Sequence, residues 1–132
     1  MMNSQLTVYA YAIIQEIGRE LAVRKVFYEK QIHDGKMTKD DANNHYLRLQ
    51  AAQYYVAGEQ EKATKTHNEA LSELQREIGM RGRVYPNLVA RNIMTEGESR
   101  RRTTLLQQAM TIITETMPKP VPENPNQLNL FD

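Results

Sequence analysis

Cysteine is absent from this sequence of 132 residues, and neither sign of charge is in marked excess, with 17 basic and 16 acidic residues. Without cysteine the chain has no disulfide, no thiolate nucleophile and no Cys-based zinc site, which suits a reducing compartment. The formal net charge of +1 predicts no strong general attraction to nucleic acid or to an anionic membrane. The sequence also lacks an apolar run long enough to span a bilayer and the pattern of a signal peptide. We therefore predict a single-domain, soluble, cytoplasmic protein.

Catalytic and metal-binding motifs are absent as well. The three histidines, His33, His45 and His67, form no HExxH motif and no pair at helical spacing. There is no glycine-rich phosphate-binding loop. The sequence predicts neither a metal site nor a cofactor, and it gives no positive case for an enzyme.

A repeat becomes visible when the sequence is aligned with itself at an offset of 57 residues. Residues 15–56 then match residues 72–113 without a gap, and the identities exceed those expected from average composition. Identical pairs include Glu16/Glu73, Arg19/Arg76, Glu20/Glu77, Arg24/Arg81, Tyr28/Tyr85, Met37/Met94, Thr38/Thr95 and Gln50/Gln107. We interpret this pattern as a tandem repeat.

Each copy has the pattern of two helices joined by a tight turn. Apolar residues of the first helix recur at spacings of three, four or seven, as in Ile14, Ile17, Leu21, Tyr28 and Ile32. Gly35 and Asn92 suit the position just past a helix end, and Thr38 and Thr95 suit the N-cap of the next helix. Strand signals are absent. The sequence therefore predicts an all-α fold of four helices, arranged as two tandem, sequence-related helical hairpins.

Three glycines and one proline bear on where the middle helices end. Gly58 is the residue best suited to end the second helix, although one continuous long helix also remains open because no proline is present there. Gly79, Gly82 and Pro86 predict a kink or an early end near Tyr85, since proline removes a backbone donor and clashes with the preceding turn.

A charged pattern occurs once in each copy. Glu20, Arg24 and Tyr28 share one helix face, and Glu77, Arg81 and Tyr85 repeat the arrangement. The pattern fits either a charged groove built twice or an intrahelical ion pair with a tyrosine packed beside it. The ion pair is the more common use of this spacing.

Three consecutive arginines, Arg100, Arg101 and Arg102, make the second copy mildly basic. They are candidate nucleic-acid contacts through phosphate groups. Consecutive residues point around a helix, so a solvated face is the alternative interpretation.

Prolines are concentrated at the end of the sequence, at Pro118, Pro120, Pro122 and Pro125. This spacing prevents a helix and favours an extended, polyproline-like segment. We predict a helical bundle over residues 1–117, a proline-rich linker over residues 118–126 and a peptide motif over residues 127–132.

The segment Gln127-Leu128-Asn129-Leu130-Phe131 resembles the pentapeptide, roughly QLxLF, by which bacterial polymerases and repair factors attach to the β sliding clamp. The resemblance implies that Gln127 is the polar anchor and that Leu130 and Phe131 fill a hydrophobic pocket. Leu128 would be a supporting contact and Asn129 the tolerant position.

This resemblance implies a non-enzymatic accessory protein of DNA replication or repair, acting on the clamp as a recruiter or as an inhibitor. Two other uses of the tail remain open, namely docking on its own bundle and self-association, for example as a homodimer. The alternative function is a helical nucleic-acid-binding or phage structural protein whose tail serves self-assembly.

The second copy carries a further resemblance. Its sequence "ELQREIGMRGRVYPNLVARNIMTEGESRRRTTLLQQAMTII" is similar to short helical proteins of unknown function from bacteriophages and prophages. This resemblance implies no activity, but it suggests a phage or mobile-element origin.

Overall fold

The computed structural model of the protein describes residues 4–118. It contains four α-helices, α1 (Ser4–His33), α2 (Lys39–Ala57), α3 (His67–Ala90) and α4 (Glu96–Thr116), and one 3-10 turn at Gln60–Lys62 between α2 and α3. No strand occurs within these residues. The predicted all-α class with four helices is therefore confirmed over the described chain.

The turns after α1 and α3 share one backbone geometry. Gly35 and Asn92 both adopt the left-handed region, with φ values of 71° and 57°. The N–H of the residue that follows each of them donates across the helix end, from Lys36 to the carbonyl of Gln31 and from Ile93 to the carbonyl of Leu88, both at 2.9 Å. These bonds close a Schellman motif, which satisfies carbonyls that the helix end would otherwise leave unpaired. The predicted positions of both turns are confirmed.

Three threonines cap the N-termini of the later helices. Thr38, Thr66 and Thr95 each accept a hydrogen bond from the backbone N–H three residues on. Thr38 and Thr95 were predicted from sequence. At Thr66 the carboxylate of Glu69 also accepts from the Thr66 N–H at 3.0 Å, which completes a capping box.

Loss of one cap should have a measurable cost. We expect Thr66→Ala to lower the free energy of unfolding by about 1 kcal/mol, because the first turn of α3 loses an acceptor for an otherwise unpaired N–H. Urea denaturation of Thr66→Ala and of Thr104→Ala would measure it. Thr104 is exposed within α4, so its substitution should leave stability unchanged or raise it slightly. Equal losses in the two variants would contradict the capping role.

Two helix boundaries test the remaining expectations. Helix α2 ends at Ala57, and Gly58 takes the left-handed conformation with a φ of 74°, so the alternative of one continuous helix is wrong. Of the kink or early end predicted near Tyr85, the early end is wrong, because α3 continues through Pro86 to Ala90. Proline deprives the carbonyl of Gly82, four residues earlier, of its donor. Gly82 is exposed, so water can supply the missing bond.

The apolar core fills one half of the bundle. Helix α1 packs along α2 and α4, and α3 packs along α4 and α2. Fully buried apolar side chains from all four helices form the core, including Ile13, Ile17, Leu49, Leu74, Leu106 and Ile113. None of the helices in the described part of the chain combines the length and the apolar character needed to cross a lipid bilayer.

Helices α1 and α3 are farther apart than the other pairs. Among residues 4–118, α2 and α4 bring Cα atoms within 8 Å of each other, whereas α1 and α3 do not. Ala52 of α2 and Ala109 of α4 are fully buried, and such small side chains allow close approach of two helices. The wider space between α1 and α3 is filled by long charged side chains.

Candidate functional site

Five charged side chains are buried between α1 and α3. The exposed fraction is only 2% for both Arg24 and Arg81, and 1%, 3% and 5% for Glu73, Glu77 and Glu16. Burial of a charge is costly unless it is paired and hydrogen-bonded. We call these five residues, together with Glu20, the ionic cluster.

Arg24 of α1 joins this helix to α3 and α2. Its Nη1 lies 2.8 Å from Oε2 of Glu73, and its Nη2 lies 2.8 Å from Oε1 of Glu77. Nη1 also donates to the backbone carbonyl of His45 at 3.1 Å. One guanidinium therefore connects three helices.

Arg81 of α3 makes the corresponding contacts with carboxylates of α1. Its Nη2 lies 2.9 Å from Glu16 and 3.2 Å from Glu20, while its Nε donates to Glu77 at 3.1 Å. Its Nη1 donates to the backbone carbonyl of Arg102 at 2.9 Å. The same offset of 57 residues relates Arg24 to Arg81. It also relates the carboxylates that each arginine meets on the opposite helix, and the backbone carbonyls to which they donate.

Two arginines at the edge of the ionic cluster complete its charge balance, and one histidine contacts a carboxylate there. Arg19 pairs with Glu16 at 2.7 Å, and Arg76 pairs with Glu73 at 3.1 Å. His45 places Nδ1 at 2.8 Å from Glu73. With Arg19 and Arg76 included, four arginines face the four glutamates.

The carboxylates of the ionic cluster differ in acidity. Burial alone would raise the pKa of Glu73, but hydrogen bonds and positive charge from His45 and Arg24 outweigh it and hold that pKa below its usual value. Burial is likewise outweighed at Glu16, by Arg19 and Arg81, so its pKa is also lowered. Glu20 behaves in the opposite way.

The pKa of Glu20 is raised, first by burial and then by the neighbouring carboxylate of Glu77. One oxygen of Glu20 accepts from Arg81, and the other lies 3.8 Å from Nε of Arg24, beyond hydrogen-bond distance. The Nε of Arg24 is buried without a hydrogen-bond partner. Glu20 is thus the least well paired carboxylate of the six residues.

Above the ionic cluster, two tyrosines cover the arginines. The guanidinium carbon of Arg24 lies 5.9 Å from the ring centroid of Tyr28, and that of Arg81 lies 5.3 Å from the ring centroid of Tyr85. These distances are within the range of a cation–π contact. The predicted packing of tyrosine beside arginine is confirmed.

An open cleft of about 340 Å³ lies between α1 and α3, directly over the ionic cluster. Its apolar walls remain partly in solvent, with Val23, Phe27 and Val84 exposed by 49%, 52% and 45%. The lining also includes Met37, Met80 and the two tyrosines. We call this feature the interhelical cleft. A second apolar depression adjoins it on α1, formed by Ala22, Val23, Val26, Phe27 and Lys30.

The sequence interpretation of the charged pattern is incomplete. The expected pair of Arg24 with Glu20 within α1 is present at 3.8 Å, but the 2.8 Å partners of Arg24, Glu73 and Glu77, belong to α3. The intrahelical pair within α3, Arg81 with Glu77, does form. The spacing of four identifies residues on one face, whereas the partner depends on which helix packs opposite.

The arginine triplet does not form one basic surface. Arg100 is 74% exposed and Arg101 is also exposed, but the Nη2 of Arg102 donates to Glu98 at 2.6 Å and its carbonyl accepts from Arg81. The suggested nucleic-acid contact stays a prediction for all three residues. Gln127, Leu128, Leu130 and Phe131 lie outside the described residues.

The apolar cleft was not anticipated from the sequence. The sequence did contain a signal for it. Val23, Val26 and Phe27 stand at positions i, i+3 and i+4 of α1 and form a second apolar stripe away from the core face. No cluster of His, Asp or Glu within residues 4–118 has the arrangement of a metal site. The cleft is suited to holding apolar side chains.

Comparison of the chain with protein-family models, with curated proteins and with solved structures finds no match.

Proposed function

We propose that this protein is a helical, non-enzymatic binding protein that attaches to the bacterial β sliding clamp through Gln127, Leu128, Leu130 and Phe131. The observation that carries the proposal is the pentapeptide itself, in which every specifying position of the QLxLF pattern is matched. An extended peptide of this kind binds by backbone hydrogen bonds, and its side chains enter pockets of the partner.

The end of α4 supports this use of the segment. The last helix stops at Thr116, Met117 has an extended backbone with φ −64° and ψ 135°, and Pro118 follows at once. Proline at this position does not continue a helix. The motif therefore begins ten residues beyond Met117, at a distance along the chain that lets a partner reach it without displacing α4.

We also infer that the bundle consists of two tandem copies of one helical hairpin, in a cytoplasmic protein of phage or mobile-element origin. Support for the tandem copies is the recurrence of Schellman turns, threonine caps and arginine–carbonyl bonds at the same offset as the sequence repeat.

Binding to purified β clamp tests the proposed function. We expect the full-length protein to bind with micromolar affinity, about −8 kcal/mol. The variant Gln127→Ala/Leu130→Ala/Phe131→Ala should bind at least about tenfold more weakly, since anchor residues dominate such interfaces. Calorimetric titration would measure both affinities.

Asn129→Ala is the matched control, because it changes the tolerant position of the same segment and should leave the affinity unchanged. An intact protein that does not bind the clamp would overturn the proposal. If binding is found, a polymerase competition assay distinguishes a recruiter from an inhibitor that occupies the pocket.

A further inference from the structure

The interhelical cleft has partly exposed apolar walls and a buried, charge-balanced floor. Val23 and Phe27 of α1 face Met80 and Val84 of α3 across it. Its volume of about 340 Å³ lies at the lower end of the range in which proteins hold small ligands. A cleft of this size accommodates a few side chains, and it is too small for a whole helix.

The length of the chain beyond the described residues limits what can occupy the cleft. Arg102 marks the level of the cleft on α4, because its carbonyl accepts from Arg81 in the cleft floor. From Arg102 to Thr116, α4 extends away from the level of the cleft by ~21 Å, at ~1.5 Å per residue. The eleven residues that follow Met117, up to and including Leu128, can extend ~34 Å at ~3.1 Å per residue. This length covers the return along the bundle and the width of one helix, ~10 Å.

The chemistry of the same segment fits the cleft. Residues 128–131 present two leucines and one phenylalanine to apolar walls that are otherwise in water. Residues 119–132 contain one lysine and two acidic residues, Glu123 and Asp132. Arg76 lines the cleft with a side chain that is 44% exposed, and Lys30 lines the adjoining depression. A segment with a net charge of −1 therefore approaches two positive side chains, of which Arg76 is already paired with Glu73.

From these observations we infer that Leu128, Leu130 and Phe131 dock into the interhelical cleft of their own chain, in competition with the clamp. The inference about competition rests on the proposed function, whereas the docking itself does not. A linker of this length gives an effective concentration in the millimolar range. A weak contact is then enough to occupy the cleft for much of the time, and the clamp displaces it by binding the same residues.

Methionine methyl NMR on the full-length protein tests the docking. Met37 and Met80 line the cleft, while Met110 packs against the apolar core and serves as the internal control. We expect the Met37 and Met80 methyl signals to shift between the wild type and the Leu130→Ala/Phe131→Ala variant, and the Met110 signal to stay in place. Unshifted signals at Met37 and Met80 would overturn the inference. A difference that disappears on dilution would also overturn it, because the occupant would then be a second copy of the chain.

Clamp titration tests the competition. We expect Phe27→Ser to tighten binding of the full-length protein to purified clamp by about 2- to 10-fold, since the docked state is weakened. Tyr11→Ser is the matched control, since Tyr11 is 63% exposed on the same helix and does not line the cleft. Equal affinity of Phe27→Ser and the wild type would overturn the competition. Methyl shifts without any clamp binding would instead overturn the proposed function and leave the docking in place.

Discussion

Replacing Arg81 with alanine should lower the free energy of unfolding by about 3–5 kcal/mol, the usual cost of breaking a buried ion pair by removing one partner. The side chain of Arg81 is 1% exposed and lies within 3.2 Å of Glu16, Glu20 and Glu77. Its loss leaves these largely buried carboxylates without the positive charge that balances them. The carbonyl of Arg102 loses its donor at the same time.

Urea denaturation followed by circular dichroism would measure this loss. Arg100→Ala is the matched control, because Arg100 is 74% exposed and lies 4.0 Å from its nearest carboxylate. Its substitution should change stability by no more than about 0.5 kcal/mol. Arg81→Lys should fall between the two, since one ammonium cannot reproduce the fork of a guanidinium. A loss below about 1 kcal/mol in Arg81→Ala would contradict the role assigned to the ionic cluster.

Acidification should change the stability of the bundle in two stages, first a small gain and then a large loss. The lowered pKa values of Glu16 and Glu73 contribute stability that is present above the unfolded-state pKa and is lost as the pH falls through their folded-state values. The raised pKa of Glu20 has the reverse effect, because its ionised form is less favourable in the folded state. Lowering the pH from neutral should therefore first raise the free energy of unfolding slightly and then reduce it steeply below about pH 4, the ordinary pKa range of exposed carboxyl groups.

Two glutamine variants separate these contributions. Glu73→Gln should lose about 2–3 kcal/mol at pH 7, because Arg24, Arg76 and His45 all face this carboxylate. Glu20→Gln resembles the protonated form and should keep or raise stability at pH 7 and abolish the first stage. Unfolding midpoints measured from pH 3 to pH 8 would show both effects. A similar loss in the two variants at pH 7 would contradict the opposite pKa shifts.

The elements of the fold were readable from sequence wherever a single residue type satisfies a local backbone requirement. Gly35 and Asn92 end helices in the left-handed conformation, and Thr38 and Thr95 start them. The early end predicted near Tyr85 does not occur, because packing of Tyr85 itself, which is 8% exposed, supports the last turns of α3. Local propensity gives way here to tertiary contacts.

The site was less predictable, because helix periodicity reports which residues share a face and not what that face meets. The pairs Glu20/Arg24 and Glu77/Arg81 were recognised, but their cross-helix partners depend on the separation of α1 from α3. That separation follows from the close approach of α2 and α4, which a pattern of single residues such as Ala52 does not specify. The interhelical cleft is a product of the same spacing.

The ionic cluster bears on how such a bundle could have arisen. Each arginine meets carboxylates at equivalent positions of the opposite half. Under the proposed duplication, the arginine of one hairpin could therefore pair with the carboxylates of a second copy of the same hairpin. Arg24 would then meet Glu16 and Glu20 of that copy in place of Glu73 and Glu77. A single ancestral hairpin would have formed a symmetric dimer held by the same charges. Fusion of two such hairpins through Gly58 and the 3-10 turn would have made that pairing intramolecular and freed its two halves to diverge.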